Sequence, residues 1–186
     1  MNRFTRRGFT LAGLAALPAL AACSNAVGSR GGETLDARVD ATIEHMYRTI
    51  PSSRELADKS MGMLVMPLQT EVGVIIGGGY GKGALRVNGA TIDYYSSTHA
   101  NFGLQFGAQQ YAHVLFFMTQ DALDSFRHSR GWALGADVEY VFNDAGENLR
   151  AESTTGLAPI VAVVFGQAGL KIGASLEGVK YNRIIP

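Results

Sequence analysis

Ala84-Leu85-Arg86-Val87-Asn88-Gly89-Ala90-Thr91-Ile92-Asp93-Tyr94-Tyr95 decides the fold. An Asn-Gly pair sits between two runs rich in β-branched and aromatic residues. A type I′ turn needs positive φ at both central residues, and Asn-Gly meets that need at the lowest steric cost, so the stretch reads as a β-hairpin. Upstream, Met63-Leu64-Val65-Met66 is a short apolar run ending at Pro67, and Val72 to Ile76 is another. Both read as buried strands. Downstream, Phe102 to Gln110, Ala112 to Met118, Leu134 to Phe142, Ile160 to Phe165, Leu170 to Leu176 and Val179 to Ile184 continue the strand-like pattern. Asp144-Ala145-Gly146 and Gln167-Ala168-Gly169 read as turns between them. No internal repeat of fixed period is present.

Helical spacing precedes this β-rich region. Leu35, Val39, Ile43, Met46, Tyr47 and Ile50 predict an amphipathic helix over residues 34–50, stopped by Pro51. Ser52 or Ser53 caps a short helix over Arg54 to Ser60, with Glu55 in its first turn. Thr119-Gln120-Asp121 caps a helix carrying Ala122, Leu123 and Phe126. Gly131 closes that helix after Arg127, His128 and Arg130, whose charge suits a helix C-terminus. The expected class is α+β: N-terminal amphipathic helices, then a mostly antiparallel, Gly-rich β-sheet, sandwich or barrel-like, with one inserted helix.

The first residues read as a targeting segment. Arg3, Arg6 and Arg7 precede an apolar stretch from Gly8 to Ala22, which is shorter than the roughly 20 residues a bilayer span needs. Leu20-Ala21-Ala22-Cys23 resembles the lipoprotein signal of bacteria, in which the cysteine is acylated and becomes the new N-terminus. Thr5-Arg6-Arg7-Gly8-Phe9-Thr10-Leu11 resembles the twin-arginine export signal, a receptor-read address. The expected organisation is a signal peptide over residues 1–22, an acylated N-terminus and linker over 23–32, and one domain over 33–186. Acylated Cys23 is the expected lipid attachment, and more than one acyl chain anchors stably. Ser24, not aspartate, follows it, which favours the periplasmic face of the outer membrane.

All 16 acidic residues lie beyond residue 22, as do all basic residues except Arg3, Arg6 and Arg7. The mature chain is therefore mildly acidic, which argues against general nucleic-acid binding. Cys23 is the only cysteine, so packing and not a disulfide must hold the domain. The 23 glycines lie mostly among β-branched and aromatic residues, which suggests a sheet with bulges and tight bends.

Familiar chemical motifs fail on context. Gly77-Gly78-Gly79-Tyr80-Gly81-Lys82-Gly83 lacks a following helix, and Gly83 stands where a phosphate loop needs Ser or Thr. A bent strand with a close backbone approach is the reading kept. His45, His99, His113 and His128 show no metal-ligand spacing, and Ser96, Ser97 and His99 lack a nucleophile elbow. No catalytic residue, metal ligand or cofactor is expected. A hydrolase would have to draw on Glu71, Asp93, Glu139 and His99, whose spacing gives it no support.

Several ordered blocks carry a family resemblance. Phe102-Gly103-Leu104-Gln105-Phe106-Gly107-Ala108-Gln109 resembles the core motif of the SYLF domain. Gly79-Tyr80-Gly81-Lys82-Gly83 and Leu115-Phe116-Phe117-Met118-Thr119 flank it as they do in that family. Phe165-Gly166-Gln167-Ala168-Gly169-Leu170 and Ser175-Leu176-Glu177-Gly178 resemble its closing segments. The resemblance covers roughly residues 35–185. It implies a non-enzymatic lipid-binding domain whose N-terminal amphipathic segment takes part in lipid contact. For an exported bacterial chain the implied ligand is an anionic phospholipid of the envelope. The candidate contacts are Arg38, Arg48, Arg54 and Lys59, with Lys82 and Arg86 near the Gly-rich bend. The alternative is a scaffold that binds an envelope protein through a strand edge or the Asn88-Gly89 hairpin.

Overall fold

The computed structural model describes residues 30–73, 76–102, 107–133, 138–142, 158–166, 176 and 178–186. Helices α1 (Gly31–Thr49) and α2 (Ser53–Lys59) come first. Strands β1 (Gly62–Gly73), β2 (Ile76–Val87), β3 (Ala90–Phe102) and β4 (Gly107–Phe117) follow. Then come α3 (Gln120–His128), β5 (Trp132–Ala133), β6 (Val138–Phe142), β7 (Ile160–Gly166) and β8 (Lys180–Ile184). The strands form one eight-stranded sheet in the order β5-β8-β3-β2-β1-β4-β7-β6. Every pairing is antiparallel except β6 with β7. The class is α+β with a mostly antiparallel sheet, as expected.

The sheet curls strongly. In a flat sheet β4 and β8 would lie roughly 19 Å apart, four strand spacings. Instead His113 Nε2 of β4 meets Tyr181 Oη of β8 at 2.7 Å. The strands therefore roll into a half-barrel, with a concave and a convex face. Leu64, Leu85, Leu115 and Phe117 fill the concave side, where Leu123 and Phe126 of α3 plug it. Val65, Ala84, Val114 and Phe116, one residue out of phase, pack on the convex side against Val39 and Met46 of α1 and Leu56 of α2. Apolar residues on both faces of the same strands explain the near-continuous hydrophobic runs in the sequence.

Local signals hold where the chemistry is local. Asn88 and Gly89 take φ of 51° and 79°, as a type I′ turn requires. Thr119 caps α3 by accepting a hydrogen bond from the Ala122 amide at 3.2 Å. Three expectations shift. Ser52 makes no side-chain cap to α2; Ser53 Oγ donates instead to the Ile50 carbonyl at 2.6 Å. Pro67 does not end a strand, because it sits at a register shift between Val65 and Leu68, a place where a missing donor is tolerated. The Val72 to Ile76 run is divided between the end of β1 and the start of β2.

α1 begins at Gly31, two residues before the expected domain boundary. Glycine is a poor helix former. At Gly32, however, any side chain would crowd the Tyr94 ring, whose hydroxyl lies 3.0 Å from the Cβ position. Asp36 then fastens the helix to the convex face. It accepts from Thr91 Oγ1 at 2.7 Å and Tyr94 Oη at 2.8 Å.

Candidate functional site

The two faces of β1 and β2 carry different chemistry. Cross-strand pairs Leu68–Lys82 and Thr70–Tyr80 point outward, next to the first turns of α1. With Arg30, Leu35 and Arg38 of the helix side and Pro67 and Pro186 at the edges, they line an open groove of about 650 Å³. Arg30 and Arg38 are exposed, Lys82 is half-buried and Tyr80 is 49% exposed. Among the described residues neither Arg38 nor Lys82 forms an ion pair. The N-terminal end of α1 adds its partial positive charge. Leu35, Leu68 and Pro67 give it an apolar part, the charged side chains that line it are cationic, and a ring sits at the rim.

Of the basic residues singled out from sequence, only Arg38 and Lys82 meet here. Arg48 lies in the last turn of α1, about 15 Å further along the axis. Arg54 stacks over the Tyr47 ring at 4.5 Å, and Lys59 pairs with Glu55 at 2.6 Å. Arg86 is a structural cation, bound to Asp40 at 2.6 Å and close to Asp36 at 3.7 Å. Arg30 was missed because Gly31-Gly32 made its surroundings read as linker. Cys23, Arg6 and Arg7 lie outside the described residues, as does most of the expected 23–32 linker.

Inward, β2 presents glycines. Register aligns Glu71, Gly79 and His99 across three strands, and Gln69, Gly81 and Ser97 likewise. With no side chain in the middle, the flanking ones meet over the glycine. His99 Nε2 lies 2.7 Å from Glu71 Oε1, and Gln69 Nε2 donates to Ser97 Oγ. A Cβ at Gly79 would overlap the His99 ring, and one at Gly81 would overlap the Gln69 amide. The Gly-rich stretch is thus a strand whose bareness makes room for a buried polar cluster, not a phosphate loop. Tyr111 Oη donates to the same Glu71 oxygen at 2.7 Å. Burial, then the hydrogen bond to Glu71 and its charge, pushes the Tyr111 hydroxyl far up from its ordinary value. His113 is wholly buried; burial first, then His99, lowers it to about 3, with Glu71 opposing. Gln69 Oε1, His99 Nδ1 and His113 Nδ1 have no partner among the described residues. His99 Nε2 faces Glu71 outside hydrogen-bond geometry.

The residues a hydrolase would need are scattered. Glu71 and His99 meet, but both are buried under the sheet. Asp93 lies elsewhere, 3.2 Å from Arg183 and 3.9 Å from Arg127. The Glu139 side chain is outside the described residues. Among the described residues no group of three His, Cys, Asp or Glu side chains is placed to hold a metal ion. No helix there is long and apolar enough to cross a membrane.

Fold and site together define a curled α+β domain with an external cationic groove and a sealed polar interior. Residues 98–183 match the family model Ysc84, described as Las17-binding protein actin regulator. The match agrees with the SYLF-domain resemblance read from the sequence, a family associated with lipid binding and actin-related function, and it covers less than half of the chain. It runs from the end of β3 through β8 and takes in His99, Tyr111, His113 and Tyr181. The groove lies outside the matched residues. No curated protein matches the chain.

Proposed function

We propose that this is a non-enzymatic envelope lipoprotein whose SYLF domain binds the head group of an anionic phospholipid in the groove between α1 and β1–β2. Arg38 and Lys82, without ion pairs among the described residues and joined in the groove by Arg30, are the observation that carries the reading. Their charge attracts phosphate, Leu35 and Leu68 give the lipid's glycerol end an apolar wall, and Tyr80 sits where an interfacial ring does. The family's association with lipid supports the same ligand class. The tether fits the geometry as well. Arg30 follows Cys23 by seven residues, which span about 25 Å at full extension. An acylated Cys23 thus keeps the groove within reach of the leaflet that holds the anchor, at the periplasmic face of the outer membrane after twin-arginine export.

Flotation of the protein carrying Cys23→Ser tests the binding step apart from the anchor. Vesicles containing phosphatidylglycerol carry the protein upward, purely zwitterionic vesicles do not, and Arg38→Glu with Lys82→Glu abolishes the difference. Equal recovery with both vesicle types at moderate salt overturns the lipid reading and leaves the protein-scaffold alternative.

A further inference from the structure

None of the buried cluster's side chains lines the groove, and their chemistry is that of a proton-sensitive element. His113 sits at 0% exposure on β4. Its Nε2 is 2.7 Å from Tyr181 Oη, while Nδ1 meets nothing among the described residues. A neutral imidazole suits this site, since only one of its nitrogens is engaged. An imidazolium carries two N–H donors, and one of them would be left buried and unpaired at considerable cost. The groups facing the ring are Tyr111 from its own strand, Tyr181 from β8, His99 from β3 and Glu71 from β1. A proton on His99 opposes one on His113, and the Glu71 carboxylate favours it; burial outweighs both.

Tyr181 belongs to a short strand. β8 covers Lys180–Ile184 and pairs with β3 on one side and with the two-residue β5 on the other. Moving β8 away from β4 admits water to His113. We propose that His113 and Tyr181 form a latch that holds the C-terminal strand closed while the imidazole is neutral and lets it open when the medium turns acid.

The sign follows from linkage. In the open form His113 regains an ordinary histidine affinity for protons, near 6.5. In the closed form it takes none until about pH 3. Between those values the open form binds more protons, so falling pH favours opening and rising pH favours the latch. One such group raises the opening constant about 30-fold between pH 7.5 and pH 5. β8 leads directly to Pro186, which lines the groove. Opening therefore removes one groove wall and weakens lipid retention, a consequence that rests on the lipid reading. The latch itself does not.

Amide hydrogen exchange on the purified protein, without vesicles, tests it. The expected result is a roughly 30-fold rise in the opening constant of β8 amides from pH 7.5 to 5, after correction for intrinsic rates, with β1 and β4 amides changing far less. His113→Gln flattens that dependence, whereas His99→Gln keeps most of it. A change under threefold in the wild type, or full pH dependence retained in His113→Gln, overturns the latch. Should His113→Gln not fold, the ring of the wild-type protein decides by NMR. Silence of His113 from pH 7.5 to 5 together with the rise in β8 exchange supports the latch, and titration near 6.5 with β8 exchange unchanged overturns it. Failure of vesicle binding leaves the exchange result standing, so the two readings fall separately.

Discussion

Strands β1 and β2 present two unlike regions, one on each face, and the pleat alone separates them. Outward lie Leu68, Thr70, Tyr80 and Lys82, open to solvent beside Arg38. Inward lie Gln69 and Glu71 opposite bare Gly81 and Gly79, under cover and bonded to β3 and β4. A period of two makes neighbouring residues serve opposite tasks. The energetics differ accordingly. Removing the acceptor of a buried hydrogen bond strands its donor without water. Removing an exposed, unpaired cation strands nothing. The comparison teaches that the interior charge belongs to the fold, while on the outer face Lys82 has no ion pair among the described residues.

Glu71 and Thr70 put that contrast to its hardest trial. Glu71→Ala leaves the Tyr111 hydroxyl buried without its acceptor and empties the space beside His99, and should cost about 3 kcal/mol. Thr70→Ala, one residue along on the groove side, should stay within about 0.5 kcal/mol. Urea unfolding of the two variants measures the gap. Equal midpoints would break the distinction between the faces.

Glycines supply the next largest effect. A Cβ at Gly83 would press into the Val65 carbonyl and the Met66 sulfur, the first of which is backbone and cannot step aside. Gly83→Ala should therefore destabilise by about 1–3 kcal/mol. Gly78 is in the same run but faces the other way, and its Cβ would meet only the His99 carbonyl at 3.5 Å, an ordinary contact. Gly78→Ala should be neutral or stabilising by about 0.4–1 kcal/mol through the unfolded chain. Thermal melts of the pair show whether bareness is required on one face only.

How much of this was legible in the sequence depends on how local the cause is. Asn88-Gly89 and Thr119 announce a turn and a cap because the determining atoms lie within a few residues. Pro67 misleads, since whether a proline ends a strand or sits in a bulge is settled by the partner strands on either side. Glu71 and His99 both carry chemically capable side chains, yet nothing in their spacing joins them. Their meeting needs the register of three strands with Gly79 in the middle. The groove was half legible: Arg38 and Lys82 stood out by charge, but only the docking of α1 on the convex face brings them together. Arg30 was hidden by Gly31 and Gly32, which read as linker, although Gly32 sits in the helix where the Tyr94 ring leaves no room for a side chain.

The smallest effect on stability falls at the groove, and there it is the contrast between two cations that informs. Lys82 has no ion pair among the described residues, whereas Arg86, two positions along the same face, is engaged by Asp40 and Asp36. Lys82→Gln should leave stability within about 0.5 kcal/mol of the parent. Its binding to anionic vesicles should weaken by about 1 kcal/mol, the usual worth of one basic side chain near such a surface. Arg86→Gln should behave the other way round, loosening α1 from the sheet through Asp36 and Asp40 while contributing no direct charge to the groove. Binding isotherms at two salt concentrations, beside unfolding curves for both variants, separate the roles. Raising the salt should erase the Lys82→Gln difference, because screening at an exposed site grows with ionic strength. A Lys82→Gln protein that loses stability and keeps its vesicle affinity would show that charge serves the fold on both faces, and the division between them would have to be given up.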